Sequence, residues 1–209
     1  RYDRQHPAMN TRATALTTLI AFTQAGCWVI GYGVEPNEAW KVEGPEKTGE
    51  PKITYRIRDP QGITFSGRGG LMDSFRKANP FRNASMVPET PSTGVHVDVL
   101  ADNKPPAAGE LVWGYVAMIT LFALPAYSGA SGFYMKYTVY VDGERTEYYE
   151  YEVQRRAFVW LPVIPFAWIN LLTKSERDGF TATTRQFFRD AIDDGVFGAD
   201  TGSPGRDIR

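Results

Sequence analysis

Cysteine occurs once in this 209-residue chain, at Cys27, and histidine twice, at His6 and His96. A lone thiol excludes an internal disulfide and a thiolate cluster for zinc or iron–sulfur. Two histidines leave little from which to build an imidazole metal site or a Ser-His-Asp arrangement. His96 and Asp98 stand two residues apart in GVHVDVL, spacing that puts them on one face of a strand. Neither nucleophile nor third member can be assigned to that pair, so a solvated strand face is expected. Glu147, Glu150 and Glu152 could gather a cation, but like charges along an exposed hairpin fit them better. Gly67-Arg68-Gly69-Gly70 precedes a helical pattern. It lacks the Lys-Ser/Thr of a phosphate-binding loop, so it reads as a turn. The chemistry expected of this chain is therefore not catalytic, and no cofactor is expected. The remaining reactive group is the Cys27 thiol, which could accept an acyl chain or be buried as a small apolar group.

The surroundings of Cys27 bear on that choice. From Met9 the chain reads MNTRATALTTLIAFTQAGC. Arg12 supplies a positive charge, and Ala13 to Phe22 is an uncharged, mostly apolar stretch of ten residues. That length suits a signal-peptide core and is too short to span a bilayer. Ala25 and Gly26 give a peptidase access to the backbone before Cys27. This run resembles the lipobox of bacterial lipoproteins, with Gln24 departing from the aliphatic residue usual in that pattern. The resemblance implies a signal peptide, lipidation of Cys27 with chains such as palmitate, and life in the bacterial cell envelope. Trp28 follows the cysteine where a retained lipoprotein has Asp, which implies the periplasm-facing outer membrane in a Gram-negative host.

Composition admits a folded protein. Hydrophobic residues make up 43% and charged residues 22%. The net charge of −1 offers no basic footprint for nucleic acid.

The elements expected after the cysteine form an α+β protein. Residues 27–51 read as a lipid-anchor tether. Residues 52–100 make a small strand-helix-strand region: Lys52–Arg58 alternates at period two, Leu71–Ala78 carries an apolar helical face ended by Pro80, and Gly94–Leu100 alternates again. Residues 101–110 read as a linker. Residues 111–195 hold an apolar segment, a β-hairpin over 136–153 turning at Asp142-Gly143, a second apolar segment over 157–172, and an amphipathic helix. Thr173 and Glu176 suggest a capping box for that helix, with Phe180, Phe187, Phe188, Ala191 and Ile192 on its apolar face. Residues 196–209 read as a flexible tail.

The two apolar segments raise the functional question. No charge occurs from Leu111 to Met135, or from Ala157 to Thr173. Trp113 and Tyr115 flank the first segment, with Tyr127, Phe133 and Tyr134 at its other end. Trp160 and Trp168 flank the second, beside Arg155 and Arg156. Such aromatic and cationic residues suit the lipid headgroup level. Pro125, Pro162 and Pro165 argue against regular transmembrane helices and for bent or shallow membrane contact. Core segments beneath a soluble sheet are the equal alternative.

The arrangement is similar to a loose group of uncharacterised bacterial lipoproteins with two Trp-containing apolar segments around a hairpin, here Trp113, Thr120-Leu121, Pro125, Trp160 and Trp168. That group implies no activity. The expected role is a membrane-anchored structural or interaction component without catalysis, its partners the membrane lipid and an envelope protein met through the 136–153 hairpin. The alternative is a small-ligand or lipid carrier, less readily a hydrolase, with a pocket between sheet and apolar segments.

Overall fold

A computed structural model describes residues 28–44, 51–61 and 65–198. The fold is α+β. Six strands make one mixed sheet in the order β1-β6-β5-β4-β2-β3. The strands are β1 (Trp28–Glu35), β2 (Ile53–Ile57), β3 (Ser85–Met86), β4 (Val95–Lys104), β5 (Ala126–Val141) and β6 (Glu144–Val159). Strand β2 runs parallel to β3 and β4, and the other neighbours are antiparallel. The helices are α1 (Gly67–Ala78), α2 (Ala108–Ile119) and α3 (Glu176–Asp193), with 3-10 turns at Asn37–Lys41 and Leu161–Leu171.

Period-two patterning explains the core. Ile53, Tyr55 and Ile57 of β2, Val97 and Val99 of β4, and Phe133, Met135, Tyr137 and Val139 of β5 point to one face and are buried. Helices α1 and α3 cover that face with Leu71, Phe75, Phe180, Phe187 and Phe188. Tyr137 stacks on Phe187 at 4.4 Å between ring centroids, nearly parallel. Its hydroxyl bonds with Thr184 at 2.8 Å, and burial pushes the phenol up to about 12. Gly179 lets α3 approach the sheet, since a Cβ there would lie 2.9 Å from Val153 Cγ1.

Several elements differ from the sequence reading. Residues 28–44, read as tether, hold β1 and a 3-10 turn, because β1 finds its partner in β6, far along the chain. Strand β4 continues to Lys104, through the first four residues of the expected linker. The hairpin is longer than 136–153: each strand has sixteen residues, and the turn lies at Asp142-Gly143 with both φ angles positive. The first apolar run therefore splits. Its front half forms α2, whereas Ala126–Met135 enters the sheet, because Pro125 and the Ser/Gly sequence 128–132 disfavour continued helix. Phe133 accordingly sits in the core, not at a membrane interface. The second run is a 3-10 segment, not an α-helix, with Pro165 inside it. The capping box of α3 is formed by Ser175 and Asp178, two residues beyond Thr173. Ile192 is exposed rather than part of the apolar face. No helix of the described residues is long and apolar enough to cross a membrane.

Candidate functional site

Three strand termini meet at one end of the sheet. Trp28 begins β1 opposite Val159, which ends β6, and Val159 in turn faces Ala126, which begins β5. Both apolar segments extend from this end. A small satellite core of Ala117, Ala126 and Val159, with Phe122 against it, holds them to the sheet.

Helix α2 is attached by its polar start and turned outward along its apolar length. Glu110, in the first turn, accepts hydrogen bonds from Gly129 N (2.8 Å), Ala130 N (3.2 Å) and Ser128 Oγ (3.0 Å). Those groups belong to a register shift in β5, where Ser128 and Ser131 face Ala157 and Arg155. Gly132 makes the shift possible, because a Cβ there would sit 2.0 Å from the Val153 carbonyl oxygen. Partial burial works to raise the Glu110 carboxyl, but the bonds from Gly129, Ser128 and Ala130 outweigh it and hold the group below its ordinary range. Beyond this latch, Ala117 is the one buried side chain of α2. Leu111, Val112, Trp113, Tyr115, Met118 and Ile119 are all exposed.

The end of α2 is unusual in its chemistry. Leu121 N donates to Met118 O (2.9 Å) and Phe122 N to Ala117 O (2.7 Å), the paired bonds of a Schellman motif. Glycine normally occupies the left-handed position of that motif. Here Leu121 holds it with φ 52°, followed by Phe122 at 59°. A left-handed leucine costs ~1–2 kcal/mol. Its side chain is nonetheless 79% exposed, so burial within the fold does not offset the cost.

The second segment adjoins the first. Leu161 N donates to Phe122 O (2.9 Å) and Trp160 Nε1 to Ala123 O (3.1 Å), while Trp113 Nε1 donates to Pro125 O (2.8 Å). Both indole N–H groups are thus bonded within the protein, leaving hydrocarbon outward. Leu161, Phe166, Trp168, Leu171 and Leu172 are exposed, Leu171 to 86%. The segment then turns along the free edge of β1. Ile30 N donates to Asn170 Oδ1 (2.8 Å), Thr173 Oγ1 donates to Ile30 O (2.7 Å), and Tyr32 N donates to Lys174 O (3.3 Å). These bonds occupy an edge otherwise open to pairing.

The expected contact residues therefore gather at one end: Trp113, Tyr115, Trp160, Trp168, Arg155 and Arg156. Arg155 is partly buried, its Nε donating to Ser131 Oγ (3.4 Å), and Arg156 is exposed. Cys27 lies outside the described residues, as do the signal-peptide stretch and most of the tail. Sequence reasoning named Leu121 only within the Thr120-Leu121 pair of the resemblance and did not single out Leu171 or Leu172; the long uncharged runs contained them without showing which side chains face out.

The other candidates resolve as structural. His96 and Asp98 are buried, contrary to the solvated face expected of them. His96 Nδ1 pairs with Thr54 Oγ1 (2.9 Å), across the β2–β4 register, and burial lowers its proton affinity. Asp98 pairs with Arg56 and Arg58; burial works against ionisation, but those guanidinium bonds hold the carboxyl below its ordinary range. Glu152 pairs with Lys104, and Glu150 accepts from Tyr148. Among the described residues no group of three His, Cys, Asp or Glu could hold a metal. Tyr149 and Tyr151 face α3, donating to Asp194 (2.7 Å) and Asp190 (2.6 Å).

No family model matches this chain, and no curated protein matches it. Among solved structures it is similar to a PelC variant dodecamer from Paraburkholderia phytofirmans, with 7% identity over 75% of this chain and 97% of that one, at a TM-score of 0.27. Similarity of that degree brings neither fold nor function to this chain.

Proposed function

We propose that this chain is a cell-envelope lipoprotein, acylated at Cys27, whose exposed apolar end docks in the same bilayer, and that its role is structural or interactive. One observation carries the reading: apolar residues of 111–127 and 161–172 are exposed at the end of the sheet where Trp28 starts β1. Trp28 is bonded to Cys27. An acyl chain on that thiol would enter the membrane beside the apolar end. Exposed leucine, isoleucine and tryptophan in one uncharged cluster are costly in water and favourable against lipid. Their outward direction also favours docking over a carrier, whose apolar groups would line an enclosed cavity.

The hairpin fits a role away from the membrane. Fifteen steps of strand at ~3.3 Å each put the Asp142-Gly143 turn ~50 Å from the apolar end. Strand β1 covers β6 only from Glu152 onward. The outer edge of Glu144–Tyr151 has no strand partner among the described residues, which suits strand addition by an envelope protein.

Membrane cofractionation tests the reading. In the native host we expect loss of residues 9–26, lipid mass on Cys27, and partial membrane retention of Cys27→Ala. Because Cys27→Ala also leaves residues 9–26 in place, adding Leu121→Glu and Leu171→Glu to that variant should lower its retention further rather than abolish it. An unlipidated Cys27 with residues 9–26 retained would overturn the anchor. Full retention after both glutamate substitutions would overturn the docking surface.

A further inference from the structure

The charges nearest the apolar end set how deep it can go and which lipid it meets. Strand β1 pairs with β6 so that Trp28 faces Val159 and Gly31 faces Arg156. Three steps of strand, ~10 Å, therefore separate the apolar terminus from the first charge on β6. The Lys174 carbonyl accepts from Tyr32 N, which puts Lys174 at the same level on the outer edge of β1. No charged residue occurs between Arg156 and Lys174 in the chain. An interfacial element sinks ~5–10 Å, so these two cations fall where phosphates lie.

The acidic residues near that level are already engaged. Glu176 is buried, accepting from Tyr32 Oη (3.2 Å), Phe65 N (3.1 Å) and Ser66 N (3.1 Å). Glu110 is held by Gly129, Ala130 and Ser128. Asp178 caps α3 through Ser175. Arg156 and Lys174 are exposed and form no ion pair among the described residues; Lys174 lies over the Trp40 ring at 5.4 Å. The cations facing outward around the apolar end are Arg156 and Lys174, with the exposed Asp178 carboxylate acting on Lys174.

We infer that the apolar end seats as a shallow wedge in one leaflet and selects anionic phospholipid, with Arg156 and Lys174 on the headgroup phosphates. This rests on the docking reading above and adds the depth and the lipid class. Each cation near an anionic surface strengthens binding about fivefold.

The test uses the full chain carrying Cys27→Ala, so that lipidation does not mask the surface. Partition is measured on vesicles of phosphatidylcholine alone and on an equimolar mixture with phosphatidylglycerol. We expect preference for the mixture, diminishing as salt is raised. Arg156→Gln with Lys174→Gln should lose about twenty-five-fold on the mixture and little on phosphatidylcholine. Arg156→Lys with Lys174→Arg should keep the preference, which separates charge from packing. Equal binding to both vesicles, reduced on both by Leu171→Glu, would overturn the lipid selectivity and leave the docking surface standing. Absence of binding to either vesicle would overturn both.

Discussion

Leu121→Gly should make the protein more stable and worse at holding a membrane. Leu121 sits at the left-handed position of the Schellman motif that ends α2, with φ 52° and its side chain 79% exposed. Glycine removes a conformational cost of ~1–2 kcal/mol. It adds back ~0.5–1 kcal/mol through the greater freedom of the unfolded chain. The net expectation is ~0.5–1 kcal/mol of added stability, read as a higher urea midpoint in lipid-free buffer. In a bilayer the balance reverses. Burying a leucine side chain is worth ~1.5–3 kcal/mol, and most of this side chain is available. A loss of ~2 kcal/mol lowers vesicle partition of the Cys27→Ala chain about thirtyfold. Leu121→Asn, which tolerates the same backbone, should move both quantities in the same directions. A lower urea midpoint for glycine would refute the strain argument. Unchanged vesicle partition would show that Leu121 does not enter lipid.

Two predictions concern the body of the fold. His96 is buried with a lowered proton affinity, so the unfolded chain binds its proton first as acid is added. Its contribution is complete above about pH 6.5 and declines as the pH falls below that value toward the folded-state pKa. The urea midpoint should fall between pH 7 and 5, and His96→Gln should flatten the profile; an unchanged slope would contradict this. Glu176→Gln replaces a buried acceptor of bonds from Tyr32, Phe65 and Ser66 with a group that can accept on one side only. Bonds to a buried charge are worth ~1.5–3 kcal/mol each, so a loss of ~2–3 kcal/mol and a melting temperature lower by roughly 5–10 °C are expected. A shift under about 1 °C would mean that solvent reaches that carboxylate.

The sequence was most legible where period and turn chemistry agreed. Alternation over Ile53–Ile57 and Val95–Val99, the Asp142-Gly143 turn, and the Phe180/Phe187/Phe188 face of α3 all appear where those patterns imply. Strand β1 was not legible. In WVIGYGVE, Trp28, Ile30, Tyr32 and Val34 do alternate with Val29, Gly31, Gly33 and Glu35, but a tether was expected directly after Cys27, and the strand's partners lie more than a hundred positions away. The division of 111–135 into helix and strand was hidden for a related reason: an uncharged run carries no polar positions to reveal its period. The outward direction of Leu121 follows from a left-handed backbone that its own residue type disfavours, so local preference points the wrong way there. His96 and Asp98 alternate with valines as a solvated face would. Their burial depends on Thr54, Arg56 and Arg58, which reach them across strands.

The most direct test of the membrane-docked end is tryptophan quenching by brominated phospholipid. Trp113, Trp160 and Trp168 belong to the two apolar segments, whereas Trp40 lies under Lys174 on a 3-10 turn. With the full-length Cys27→Ala chain, lipids brominated near the headgroup end of the acyl chain should quench emission more than lipids brominated near the terminal methyl. Trp113→Phe with Trp168→Phe should reduce that quenching, leaving the part due to Trp28 and Trp160 at the same end. Emission indifferent to both lipids, at vesicle concentrations that bind the chain, would contradict insertion of the apolar end.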